Sequence, residues 1–133
     1  RCGAGVALTT VNVDAGELEI NSGCTTLTVR GGEVWQRSGN VTTLKVEGNA
    51  VWRYAGTGTI TTLSIGEGAT VDLREVPALQ AGMTITTIQI YGRCTILGLK
   101  KATVTNPINF NFVAPEACTI EFGPHVTLAT ANL

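Results

Sequence analysis

One pentapeptide pattern limits what this chain can fold into. Thr9-Thr10-Val11-Asn12-Val13 recurs as Thr25-Thr26-Leu27-Thr28-Val29 and again as Thr42-Thr43-Leu44-Lys45-Val46. Two further copies are Thr61-Thr62-Leu63-Ser64-Ile65 and Thr86-Thr87-Ile88-Gln89-Ile90. A degenerate sixth copy reads as Ile108-Asn109-Phe110-Asn111-Phe112. An apolar residue precedes each Thr pair: Leu8, Cys24, Val41, Ile60 and Ile85. A Gly-containing corner follows several copies, as at Gly31-Gly32, Glu47-Gly48-Asn49 and Gly66-Glu67-Gly68. A second short strand comes next: Glu17–Ile20, Glu33–Trp35, Ala50–Trp52, Thr70–Leu73 and Thr95–Leu97, with Cys118–Phe122 as a last rung. Self-similarity of this kind is the signature of a repeat architecture.

Side chains alternate across a strand, so the third and fifth positions of the pentapeptide share a face. Those columns read Val11, Leu27, Leu44, Leu63, Ile88 and Val13, Val29, Val46, Ile65, Ile90, all aliphatic. The fourth column, Asn12, Thr28, Lys45, Ser64 and Gln89, is polar and should face out. Stacking such units buries one continuous ladder. The expectation is therefore an all-β, single-domain parallel β-helix (β-solenoid) of about six short coils. The hexapeptide rule of left-handed helices is absent, which favours a right-handed coil. Residues 1–110 are read as coils. Residues 111–133 are read as the last coil and a C-terminal cap, with Pro115 and Pro124 as breakers and Val126-Thr127-Leu128 as a final strand. An antiparallel sandwich also has evenly spaced strands, but it does not require the same pentapeptide at every other one.

Composition agrees with a β fold. Sixteen Gly and twenty-one Thr accompany only 14% charged residues, against roughly 25% in an average domain. Thr favours strands and Gly favours tight corners. The net charge of -1 excludes a basic nucleic-acid footprint. No apolar run is long enough to cross a membrane as a helix, and no signal peptide is visible. The opening Arg1-Cys2-Gly3 looks like the middle of a repeat, which suggests a fragment or a processed chain.

Catalysis and cofactor binding have little to stand on. A glycan-cleaving or lyase solenoid needs clustered carboxylates or a metal. Here Asp14 and Asp72 are the two Asp, and the eight Glu are scattered. Glu19 and Asp72 could share an outward column, with coils between them. His125 is the single His, so no catalytic triad can be built. There is no metal-ligand spacing, and Gly56-Thr57-Gly58 lacks the Lys and helix of a phosphate loop. The chain is read as a non-enzyme without cofactor.

Cysteine and tryptophan carry the remaining signals. Cys24 falls in the column of Leu8, Val41, Ile60 and Ile85 and reads as a small apolar side chain. Cys94 and Cys118 each open a Cys-Thr-Ile segment, on successive coils. Coils about 4.8 Å apart bring such a pair within disulfide range, although a reducing cytosol opposes the bond. Trp35 and Trp52 each lie ten residues after the start of a Thr pair. That places them in one column, and their neighbours Val34 and Val51 would point inward, so both indoles should face out. With Arg37, Arg53 and Tyr54 nearby, this is the composition of an interaction hot spot. Burial of the rings under the chain's own loops, or stacking on a sugar, are the alternatives.

The stretch from Thr59 to Leu73, TITTLSIGEGATVDL, resembles a β-solenoid repeat of tailed-phage and prophage structural proteins, whose T-[VI]-T-T-L-x-[VIL]-x-x-G-x-[VL] units run in tandem. In those proteins a late unit often carries an insertion, here Arg74–Met83, and closes on a segment similar to Ala102–Ile108. The resemblance covers roughly residues 8–108. It implies a virion component on the particle surface, made in the host cytoplasm. Shape and near-neutral charge favour a capsid decoration (cement) module over a fibre. Its expected partners are sister subunits, by analogy a trimer, and other virion proteins. The alternative is a carbohydrate-binding or depolymerase module of a tail spike, using Trp35, Trp52 and Tyr54 as stacking platforms. Ice binding by a Thr array is the third option, and Lys45 and Gln89 interrupt that array.

Overall fold

A computed structural model describes residues 8–77, 82–111 and 118–121. Two parallel sheets wind together as a β-solenoid of about five turns. The first sheet stacks β1 (Leu8–Val13), β3 (Cys24–Val29), β5 (Val41–Val46), β7 (Thr59–Ile65), β9 (Met83–Ile90) and β11 (Ala102–Val104), in that order. β12 (Asn109–Phe110) also pairs with β9. The second sheet runs β2 (Glu17–Ile20), β4 (Glu33–Gln36), β6 (Val51–Tyr54), β8 (Ala69–Asp72), β10 (Cys94–Leu97) and β13 (Thr119–Ile120). Each of the first five coils contributes one strand to each sheet, and the last adds β11 and β12 to the first sheet and β13 to the second.

The pentapeptide copies stack residue on residue. Leu27, Leu44, Leu63 and Ile88 are in register, as are Val29, Val46, Ile65 and Ile90. All eight are fully buried, each contributing about 1.5–3 kcal/mol by leaving water. The polar fourth column holds its register too, Asn12 over Thr28, Lys45, Ser64 and Gln89. Cys24 is buried in the column of Leu8, Val41, Ile60 and Ile85, and burial pushes its thiol pKa up.

The Thr pair has its own role. The apolar residue before it and the one after it both point inward, so the alternation slips by one residue across the pair. The parallel ladder skips the first Thr in each of the coil-to-coil pairings. Both hydroxyls therefore face outward at a bend in the strand, and two Thr columns run up the solenoid. Corners need left-handed backbone. Gly32 has φ +75°, and a Cβ there would lie 2.2 Å from the Gly16 carbonyl oxygen of the coil before it.

The sixth copy exists, displaced by two residues from its sequence reading. Asn109 pairs with Gln89 and Phe110 with Ile90, so Ile108 takes the third position and Phe110 the fifth. The added Pro107 lies between this unit and β11, whose register on β9 is one residue shorter. The last rung is also found, with Thr119 on Thr95 and Ile120 on Ile96. These rungs are partial, which is why about five turns replace the expected six. The cap read at residues 111–133, with Pro115, Pro124 and Val126–Leu128, falls almost wholly outside the described residues, as do Cys2 and His125.

Leu44 sits mid-stack at 0% exposure while neighbouring Lys45 faces solvent. Leu44→Ala is expected to lower unfolding free energy in urea by about 2–5 kcal/mol. Lys45→Ala should stay within about 0.5 kcal/mol of the parent. Equal losses would contradict the register.

Candidate functional site

Corner length decides which side chains of the second sheet face out. Val13 to Leu18 and Val29 to Val34 each span five residues, whereas Val46 to Trp52, Ile65 to Val71 and Ile90 to Ile96 each span six. The added residue first appears in the corner of the third coil, between β5 and β6. Val34 therefore pairs with Trp52, and Trp35 pairs with Arg53. A one-residue offset sends a side chain to the opposite face.

The expectation that Trp35 and Trp52 share an outer column is thus corrected. Trp52 is fully buried, and so is Tyr54, which was also expected at the surface. Their rings stack with centroids 5.3 Å apart. Trp52 Nε1 donates to Gln36 Oε1 at 3.2 Å, and Gln36 Nε2 donates to the Ser22 and Ser38 carbonyls. Tyr54 donates its hydroxyl to the Gly39 carbonyl at 2.7 Å and accepts from the Gly58 amide at 2.9 Å. Burial pushes the Tyr54 pKa up, partly offset by the Gly58 hydrogen bond. Buried polar atoms need such partners. The pair is an internal brace and offers no platform to a ligand. A signal for this existed in the sequence: Trp52 lies as far past Thr42 as Val71 lies past Thr61 and Ile96 past Thr86, and both of those read as core.

Trp35, Arg37 and Arg53 do meet on the outer face. The Arg37 guanidinium lies 4.9 Å from the Trp35 ring centroid and the Arg53 guanidinium 5.2 Å from it. Trp35 Nε1 donates to Glu33 Oε1 at 2.8 Å. Arg37 pairs with Glu19 at 3.4 Å. Arg53 Nε lies 2.6 Å from Glu33 Oε1, off the line of its N–H, so this contact is coulombic and not a hydrogen bond. Arg53 also donates to Asp72 at 3.4 Å, and Asp72 takes two side-chain bonds and a backbone bond from Arg74. The Arg74 hydrogen bond is the main reason the Asp72 carboxyl sits below its ordinary pKa. Glu19 and Asp72 do share one outward column, with Trp35 and Arg53 between them. The separation leaves them without the shared reacting centre that paired carboxylates need.

Cys94 and Cys118 lie on stacked coils with their sulfurs 3.6 Å apart, both as free thiols. Burial, and then the contact with Cys118, raise the Cys94 pKa. Among the described residues, no three His, Cys, Asp or Glu side chains converge as a metal ion would need. Comparison with protein-family models, curated proteins and solved structures finds no match.

Two outcomes are expected. Trp52→Ala should cost about 3–5 kcal/mol in chemical denaturation, whereas Trp35→Ala should cost about 1 kcal/mol. Oxidised glutathione should close the Cys94–Cys118 pair, seen in peptide mass spectra as a crosslink that Cys118→Ser abolishes. A pair that stays reduced through prolonged exposure would mean that the sulfurs do not approach in solution.

Proposed function

We propose that this chain is a non-enzymatic structural protein of a phage virion, acting at the particle surface through protein–protein contacts, most simply as a capsid decoration module. The observation that carries the reading is the Trp35 cluster. An indole with two guanidiniums over its ring, each tied to a carboxylate of an adjacent coil, is a pre-ordered anchor of the kind that concentrates binding energy. Holding the side chains in place beforehand lowers the entropy lost on docking. The regular solenoid supplies a rigid frame for that anchor. The resemblance of the repeat to those of tailed-phage and prophage structural proteins supplies the virion assignment. The partners in this reading are sister subunits and neighbouring shell proteins.

The test is particle association. The chain should be found by mass spectrometry in purified virions and by antibody labelling on their outer surface. Trp35→Ser should keep its circular dichroism and weaken attachment to stripped particles by about 30-fold or more, the effect of a hot-spot residue worth roughly 2 kcal/mol. Normal attachment by the folded variant would remove Trp35 from the interface, and absence from particles would overturn the virion reading.

A further inference from the structure

Among the described residues, Tyr91 is the one large apolar side chain that is mainly exposed, at 52%. Its place in the stack explains its surroundings. The fourth-position column runs Lys45, Ser64, Gln89. Two residues further along each strand comes a second outward column, Arg30, Glu47, Gly66, Tyr91, joined by coil-to-coil backbone bonds from Glu47 to Val29, Gly66 to Val46 and Tyr91 to Ile65. Gly66 is the gap in that column. Its φ is not in the left-handed region, and a Cβ there would lie 2.8 Å from the Glu47 Cβ. Glu47 packs over Gly66 instead, and beside them lies a recess of about 350 Å³ bordered by Lys45, Glu47, Ser64, Gly66 and Tyr91. A second, more open hollow adjoins Tyr91 toward Arg30, Asn49 and Glu67.

We propose that this recess is a binding subsite for a neutral pyranose ring of a surface glycan. Tyr91 lines the open recess, and its hydroxyl donates to Gln89 Oε1, which restricts the ring before a ligand arrives. An aromatic face with a polar tip suits a ligand that is apolar on one side and hydroxylated around its edge. The walls supply both donors and acceptors, Lys45 and Ser64 against Glu47. The charges are balanced within the site. Glu47 pairs with Lys45 at 3.6 Å and with Arg30 at 3.5 Å, and Arg30 also pairs with Asp14 at 3.3 Å. Arg93 occupies Glu67 at 2.8 Å. An anionic ligand would have to displace Glu47 from its cations, and a cationic one would meet Lys45. An uncharged polyol breaks neither pair. The volume falls within the range of small-molecule sites. This inference stands apart from the Trp35 reading, because the two clusters lie on the outer faces of different sheets.

The experiment presents the whole chain to an array of neutral oligosaccharides of glucose, galactose, mannose and N-acetylglucosamine, with sulfated and sialylated counterparts. Hits are titrated by saturation-transfer NMR. A neutral oligosaccharide should bind. Tyr91→Ala should weaken it about tenfold through loss of the stacking contact, while Tyr91→Phe stays within a few-fold. Ser64→Arg, which fills the recess from its wall, should likewise weaken binding at least tenfold and serves if Tyr91→Ala misfolds. The proposal is overturned if no neutral probe binds, if the acidic counterparts bind in preference, or if binding survives both Tyr91→Ala and Ser64→Arg.

Discussion

In-register parallel pairing between successive coils is the constraint from which the rest follows. Once Leu27 lies on Leu44 and Leu44 on Leu63, each position of the repeat becomes a column with one environment. The inward columns of the first sheet are therefore apolar, because a polar residue among Leu and Ile would be buried without partners, while the fourth column is polar and mostly outward, Thr28 being its one buried member. The Thr pair is kept in all five complete copies for the same reason. It marks the bend where two successive side chains leave the core, and a short β-branched hydroxyl residue suits an exposed strand position.

The second sheet shows what happens when a column is not uniform. Ile20, Gln36 and Tyr54 occupy one inward column, so an amide sits in an otherwise apolar stack. Gln36 is tolerated because Trp52 and two backbone carbonyls satisfy it. The Trp52–Tyr54 stack fills the space beside it, and Tyr54 extends the network to Gly39 and Gly58. Buried networks of this kind are stable only when complete. The polar brace and the half-buried Trp35 cluster thus lie on opposite faces of the same short strands.

The solenoid was legible because its signal is repeated. Five copies of one motif gave the first sheet, its register and its core columns directly. The second sheet was harder, since its strands carry no motif of their own and their facing depends on corner length. Trp52 and Tyr54 were misread for that reason, while Trp35, Arg37 and Arg53 were placed together on the outer face. Tyr91 was missed entirely. It lies two residues past a Thr-pair strand, opposite a glycine one coil earlier. That pairing becomes visible only when strand offsets of 19 and 25 residues are aligned. The proximity of Cys94 and Cys118 was readable from their shared Cys-Thr-Ile context, because stacking brings like contexts together.

The unequal corners have an evolutionary consequence. A one-residue insertion in a strand would misalign a ladder, yet the same insertion in a corner leaves both sheets hydrogen-bonded and reverses the facing of the following short strand. In the third coil this put Trp52 and Tyr54 inside and Arg53 outside. One codon gained or lost at such a corner can therefore exchange a whole set of surface and core residues in a single step. Repeats built this way can acquire a new exterior without first passing through a broken sheet, provided that the incoming side chains find room and partners.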